Sequence, residues 1–142
     1  MLNALHPFDA NALSLDCASA AREIEQFIQR TVAHDLKRQG VVLGVSGGID
    51  SSVCAALAVR ALGPDRVLAI LMPEKESSAD STRRGRLLCE SLGVEPIMEN
   101  ITAPLTALGC YDRRNSAIRR LFPEYGPGWK QKIGLAAGLL DA

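Results

Sequence analysis

A parallel α/β sheet flanked by helices is the fold class this sequence predicts, and three features carry the expectation. Short apolar runs alternate with longer mixed ones in the order strand, helix, strand, helix, strand, the pattern that right-handed crossovers build. The runs 41–45 and 67–72 contain no polar side chain, as suits parallel strands covered on both faces. Glycine and proline punctuate the joins at Gly40, Gly63, Pro64, Pro73 and Gly93, where neither strand nor helix continues easily.

A chain of 142 residues with 47% hydrophobic content is expected to form one domain around one core. Sixteen basic and sixteen acidic residues cancel to a net charge of zero, which gives no electrostatic ground for a nucleic-acid or membrane partner. The balance is uneven. Residues 1–80 hold seven basic and ten acidic groups, and residues 81–142 hold nine and six, so the later part could face an anionic substrate. Cys17, Cys54, Cys89 and Cys110 are 37, 35 and 21 residues apart, a spacing that suggests neither a zinc site nor a disulfide framework. With no leader-like start and no run long enough to span a bilayer, a reduced, cytoplasmic protein is expected.

An irregular arm is expected over 1–15. From Asp16 to about Gln39 the residues Ile24, Phe27, Ile28 and Leu36 fall at helical spacing, predicting an outer helix with one apolar stripe, ended by Gly40. Val41 to Val45 should be a central strand. Ser51 to Leu62 has Arg60 as its sole charge, so this helix should be largely buried, with Cys54 inside it as a buried thiol. Val67 to Met72 predicts a second buried strand. Ser78 is a suitable N-cap for a helix to Leu92 with Leu87, Leu88 and Leu92 inward and Cys89 inside it as a buried thiol by default, and Glu95 to Glu99 predicts a weaker strand, demoted to an edge by Pro96.

The stretch between first strand and second helix carries the chemistry. Ser46, Gly47, Gly48, Ile49, Asp50, Ser51 and Ser52 combine side-chain-free glycines, hydroxyl donors and the positive end of a helix, which together suit a phosphate group. Asp50 would repel that phosphate unless a cation lay between them, which implies a divalent metal, most simply Mg2+. The competing reading is an ordinary glycine turn with Asp50 as N-cap. In parallel sheets ligands lie beyond the carboxyl ends of the strands, where this turn and the loop Pro73 to Ser78 should converge; that loop would touch a base or ribose, or else be a plain connection.

Beyond Thr102 the character changes. Pro104 to Leu108 could form a helical turn and Asn115 to Leu121 a short helix ended by Pro123. Arg113, Arg114, Arg119, Arg120, Lys130 and Lys132 are interleaved with Tyr111, Phe122, Tyr125 and Trp129, a divergent basic and aromatic segment over 103–142 that could grip a nucleotide-like substrate or be a solvated face with ordinary packing. The apolar 136–142 resembles an unfinished element.

The stretches VVLGVSGGIDSSVCAALAVRAL and VLAILMPEKESS resemble the opening of the NAD synthetases, within the ATP pyrophosphatases marked by an SGGxDS loop. The likeness covers about two thirds of the chain. The SGGIDSS loop by itself specifies only the wider class; its pairing with LMP and SS at this separation narrows it. The resemblance implies an adenine nucleotide alpha hydrolase-like (Rossmann-like) fold, incomplete here, with ATP and Mg2+ as cofactors and Asp50 on the metal. It implies pyrophosphate held by Ser46 to Ser52, adenine bordered by Leu71 and Met72, and Ser78 nearby. The reaction implied is adenylation of deamido-NAD followed by attack of ammonia, with no side-chain nucleophile. A homodimer is also implied. The family's second acidic metal ligand and most of its deamido-NAD site have no counterpart up to Ala142, so the chain is expected to be the ATP-binding half, with free ammonia or a separate subunit as nitrogen source. Two alternatives stand beside this: another adenylating enzyme, such as one of sulfur transfer, and a non-catalytic nucleotide-binding fragment.

Overall fold

The computed structural model describes residues 14–130, and the chain divides into two compact units, Met1–Ile101 and Thr102–Ala142. All but the end of the expected N-terminal arm, and the whole of the apolar 136–142, lie outside the described residues.

In the first unit, α1 (Cys17–Arg30) begins at Asp16, whose carboxylate accepts from the amides of Ala18 and Ser19 at 3.0 and 3.1 Å, satisfying donors that a helix start leaves unpaired. The helix then widens into a π-turn over Thr31–Asp35 and stops at Leu36, with Lys37 in the left-handed region at φ 52°. It is therefore shorter than the predicted run to Gln39, and Gly40 does not cap it. Gly40 serves a close approach instead: a Cβ there would lie 2.2 Å from the Arg66 carbonyl oxygen. Of the expected stripe, Ile24, Phe27 and Leu36 remain exposed, and Val32 is the buried residue. What ties α1 to the next helix is polar: Gln29 donates to the Ala61 carbonyl at 2.8 Å, and Glu25 pairs with Arg60 at 2.6 Å.

The sheet has three parallel strands, β1 (Val41–Gly44), β2 (Val67–Leu71) and β3 (Ile97–Met98), in the order β1-β2-β3, with Val41 opposite Val67 and Ile70 opposite Ile97. Among the described residues β2 is therefore the central strand and β1 an edge, the reverse of the expectation for Val41 to Val45. Burial along both strands alternates. Val67, Ala69 and Leu71 are buried, whereas Val42 and Leu68 are exposed, so the helices of this unit cover one face of the sheet rather than both. An apolar run signals capacity for burial on two faces; which face is covered depends on other elements.

Helix α2 (Ile49–Leu62) starts two residues before the predicted Ser51. Its buried seam is Ala55, Ala58 and Ala61, at three-residue spacing, with Val53 and Cys54 exposed. The helix is buried along one seam rather than largely buried as expected: the alanines line the seam, Val59 packs half-buried against the core, and Ile49, Val53 and Cys54 are exposed. Helix α3 (Ala79–Leu92) begins at Ser78 and ends at Gly93 in the left-handed conformation, and Val94 donates back to the Cys89 carbonyl at 2.9 Å, closing the helix end. Its inward face is Gly85 and Cys89, with Leu88 and Leu92 half-buried and Leu87 exposed, contrary to expectation. The core joins Val45, Ala55, Ala58, Val67, Ala69, Leu71, Cys89 and Val94.

Burial pushes the Cys89 thiol pKa up, with the Glu95 charge adding to the effect. Because the thiolate is the reactive form, alkylation by iodoacetamide at pH 8 should label Cys54 in the native protein and leave Cys89 slower by on the order of a hundredfold or more, since its labelling needs an opening of the core. Peptide mass spectrometry reads this directly, and equal rates would contradict the packing of α3 on β2.

In the second unit, α4 (Thr102–Ala107) is followed by Gly109 at φ 67° and α5 (Cys110–Arg119), which starts five residues before the predicted Asn115. The guanidinium of Arg113 donates to the Leu108 carbonyl, Arg114 lies 5.5 Å from the Tyr111 ring centre and bonds Asn115, and Arg119 donates to the Tyr125 carbonyl at 3.0 Å. Tyr125 and Trp129 meet edge to face at 5.9 Å. Much of the basic and aromatic pattern is thus used in holding this unit together. Among the described residues no helix is long and apolar enough to cross a membrane.

Candidate functional site

The polypeptide leaves β1 through Val45, whose amide still bonds the Ile70 carbonyl at 2.9 Å, and turns at Gly47 with φ 79°. A side chain at Gly47 would put its Cβ 2.3 Å from the Ser81 carbonyl oxygen and 3.2 Å from the Gly85 amide nitrogen. Contact with the first turns of α3 thus requires the glycine by itself, a reason that sequence reasoning did not foresee. Gly48 is open by comparison, since the nearest atom to a Cβ there would be Ser46 Oγ at 3.4 Å.

Three hydroxyls shape the loop. Ser51 and Ser52 both donate to the Gly48 carbonyl, at 3.1 and 2.8 Å. Since the Ser51 proton is used there, Ser46 is the donor in the 3.0 Å contact between Ser46 Oγ and Ser51 Oγ. Ser46 Oγ in turn accepts from the Gly48 amide at 3.3 Å, and Ser51 Oγ accepts from the Ser46 amide at 3.2 Å. All three hydroxyl protons therefore stay inside the turn in this arrangement. The donors left over are backbone amides: those of Gly47, Ile49, Asp50 and Ser51 meet no acceptor among the described residues. Four unpaired N–H groups at the positive end of a 14-residue helix are an arrangement whose chemistry suits an anion. Asp50 stands exposed in the first turn of that helix.

Beside the turn lies a cleft of about 210 Å³ at the carboxyl ends of β1 and β2, walled by Val45, Leu71, Met72 and Pro73 and by the hydroxyl residues Ser46, Ser77, Ser81 and Thr82. Sites that enclose a whole small-molecule ligand run to roughly 300–1,000 Å³, so this cleft fits one end of a ligand. The chain after β3 braces it, with Glu99 donating to the Leu71 carbonyl at 2.9 Å and Ile101 to the Pro73 carbonyl at 3.0 Å. A larger depression of about 700 Å³ lies at the opposite, amino ends of β1 and β2, around Arg38 to Val42 and Asp65 to Leu68, away from the Ser46 turn.

The structure thus brings the Ser46 turn and the Leu71–Met72 strand end together, as expected. Leu71 is 2% exposed and a core residue first, while the Met72 side chain lies over Gly44, 3.1 Å from where a Cβ would stand. Ser78 does not line the cleft; its hydroxyl accepts from the Ser81 amide at 3.1 Å as the cap of α3. Ser77 falls in the expected loop Pro73 to Ser78, whereas Ser81 and Thr82 are lining residues that sequence reasoning missed. A signal for both was present: Ser78, Ser81, Thr82, Gly85 and Cys89 follow one helical face, and all are small. In the same turn the Asp80 carboxyl is held below its usual range by the hydrogen bond from Arg83, with Arg84 contributing.

The NAD synthase family matches residues 20–119. The NH(3)-dependent NAD(+) synthetase of Rhizobium meliloti is 48% identical over 132 residues, 93% of this chain and 39% of that protein. Among solved structures, the NH3-dependent NAD synthetase of Campylobacter jejuni, in complex with nitrate, superposes with a TM-score of 0.62 at 36% identity, covering 67% of this chain and 41% of the other. The glutamine-dependent NAD+ synthetase of Acinetobacter baumannii, in complex with ADP, gives a TM-score of 0.51 at 30% identity over 78% of this chain and 20% of the other. The sequence spans about 39% of the length of the Rhizobium relative. With the match extending through the turn, the cleft and both crossovers, this chain belongs to the NAD synthase family.

Proposed function

We propose that this chain is the ATP-binding part of an ammonia-dependent NAD synthetase. The observation that carries the reading is the row of unpaired amides at Gly47, Ile49, Asp50 and Ser51, set beside a cleft of mixed apolar and hydroxyl lining in a chain of this family. In the reaction, a carboxylate oxygen of deamido-NAD forms a bond to the α-phosphorus of ATP as the bond to the bridging oxygen of pyrophosphate breaks. Ammonia then bonds the activated carbonyl carbon, AMP departs with the oxygen, and the nitrogen sheds a proton. Negative charge grows on the departing pyrophosphate, and fixed amides facing it stabilise that charge more than they stabilise bound ATP. The serine hydroxyls act indirectly by holding the amides in place.

The donor set suits a magnesium ion shared with the ligand. Among the described residues no group of three His, Cys, Asp or Glu side chains could hold a metal, and Mg2+ commonly takes only one or two protein carboxylates together with phosphate oxygens and water. Asp50 would hold the ion, whose charge would offset that of the phosphates.

Asp50→Asn should weaken ATP binding about tenfold in millimolar magnesium, in line with loss of a charged contact, and have little effect when magnesium is chelated. Calorimetric titration at several magnesium concentrations checks this, and the same affinity for both proteins throughout would remove the metal role. Pyrophosphate release that requires deamido-NAD and ammonia supports the ligase; release that requires a thiol donor and tRNA supports sulfur transfer, and ATP binding without turnover a nucleotide-binding role alone.

A further inference from the structure

Met72 places a sulfur atom in the wall of the cleft. It lines the cleft between Leu71 and Pro73, and 49% of its surface is exposed. Two constraints fix where it lies. The backbone on either side is anchored, since the Glu99 amide donates to the Leu71 carbonyl and the Ile101 amide to the Pro73 carbonyl, and the proline that follows holds Met72 extended. On the sheet its Cε fills the gap that Gly44 leaves, 3.1 Å from where a Cβ would stand. The thioether is thus seated on β1 and still open to small reagents, and unlike a thiol it reacts without first ionising.

Oxidation would change that fit. Hydrogen peroxide transfers one oxygen atom to a thioether: a sulfur lone pair forms the S–O bond, the O–O bond breaks, the sulfur is oxidised by two electrons, and water leaves. The product is a polar sulfoxide where an apolar, flexible group stood. Its oxygen is an acceptor with no proton to give. In a cleft of about 210 Å³ it takes room that a ligand needs and repels the oxygens of a phosphate approaching the Ser46 turn. We infer that Met72 is a peroxide-sensitive modification site whose sulfoxide weakens what the cleft binds. This switch rests on the nucleotide reading proposed above and adds regulation to it. Met98 is the internal comparison: at 36% it is also exposed, but it lies on β3 and does not line the cleft.

Dilute hydrogen peroxide on the full 142-residue chain, followed by dithiothreitol to return oxidised cysteines to thiols, tests the switch. Peptide mass spectrometry should find Met72 converted at least as fast as Met98. Magnesium ATP at about ten times its Kd should slow Met72 about tenfold, in line with the fraction of clefts left empty, and leave Met98 unchanged. By calorimetry the oxidised chain should bind ATP about tenfold more weakly than before, the effect of one misplaced polar atom, and methionine sulfoxide reductase should reverse the loss. Met72→Leu keeps a similar volume without the sulfur; compared with itself before and after peroxide, it should lose no affinity. Unchanged affinity with Met72 fully oxidised, an equal loss in Met72→Leu, a Met72 that outlasts Met98, or no protection by ATP overturns the switch while leaving the anion turn standing. A parent chain that binds no ATP before oxidation overturns the nucleotide reading and the switch together. Where Met72→Leu fails to fold, the reductase decides: affinity that returns in step with reduction of Met72 supports the assignment, and affinity that does not overturns it.

Discussion

Gly47→Ala is expected to lower stability by about 2–4 kcal/mol and to abolish anion binding at the turn, whereas Gly48→Ala one residue later should change stability by about 1 kcal/mol or less. Two penalties meet at Gly47. Its φ of 79° is a conformation that a side-chain-bearing residue adopts at about 1–2 kcal/mol. The added methyl would also lie 2.3 Å from the Ser81 carbonyl oxygen, a backbone atom on a helix that cannot swing aside, and overpacking of this kind costs about 1–3 kcal/mol. Relief requires α3 to lift from the turn, which would open the cleft and scatter the amides of Ile49, Asp50 and Ser51. At Gly48, φ is −89° and the nearest neighbour of an added methyl is Ser46 Oγ at 3.4 Å, an ordinary contact, so mainly the N-cap preference for glycine over alanine is lost. Urea unfolding of the two variants compares them directly. Similar midpoints would mean that the turn does not rest on α3.

The contrast between these glycines also marks how far the sequence could be read. SGGIDSS pointed to an anion turn, and the structure forms a turn with unpaired amides there, but the reason for each glycine was not legible. Spacing reveals that a residue lacks a side chain, while the atom occupying the vacated space, the Ser81 carbonyl, comes from 34 residues downstream. The same limit explains α2. Its near absence of charge suggested burial all round, yet the packing seam is set by the alanines at 55, 58 and 61, and only tertiary placement decides that Cys54 points outward and Cys89 inward. Strand order was hidden too, since crossover handedness and apolar content leave open whether 41–45 or 67–71 takes the middle. Local chemistry was the legible part: Ser78 as cap and Gly93 as terminator each depend on hydrogen bonds within a few residues. Ser81 and Thr82 were overlooked because they reach the cleft from a helix face shared with Ser78 and Gly85, which a strand-by-strand search for loops passes over.

Leu71→Ala should destabilise the protein by about 2–5 kcal/mol, the range for emptying a well-packed leucine site. The side chain is 2% exposed at the end of the central strand, and it fills the space that Gly85 leaves on α3, with Leu71 Cδ2 2.9 Å from where a Gly85 Cβ would stand. That pairing of a large residue with none predicts a specific coupling. Gly85→Ala by itself adds helix propensity of up to about 1 kcal/mol but presses on the leucine, so its net effect should be small or unfavourable. In the Leu71→Ala background the same methyl enters the vacated space, where it both restores contact and keeps the propensity gain. The double variant should therefore be more stable than the sum of the single effects by about 1 kcal/mol or more, a size expected for residues in direct contact. Strict additivity in the urea cycle would show that α3 does not seat Gly85 on Leu71. The cleft would then lose its support, because the same helix presents Ser81 and Thr82 to the strand end that Leu71 closes.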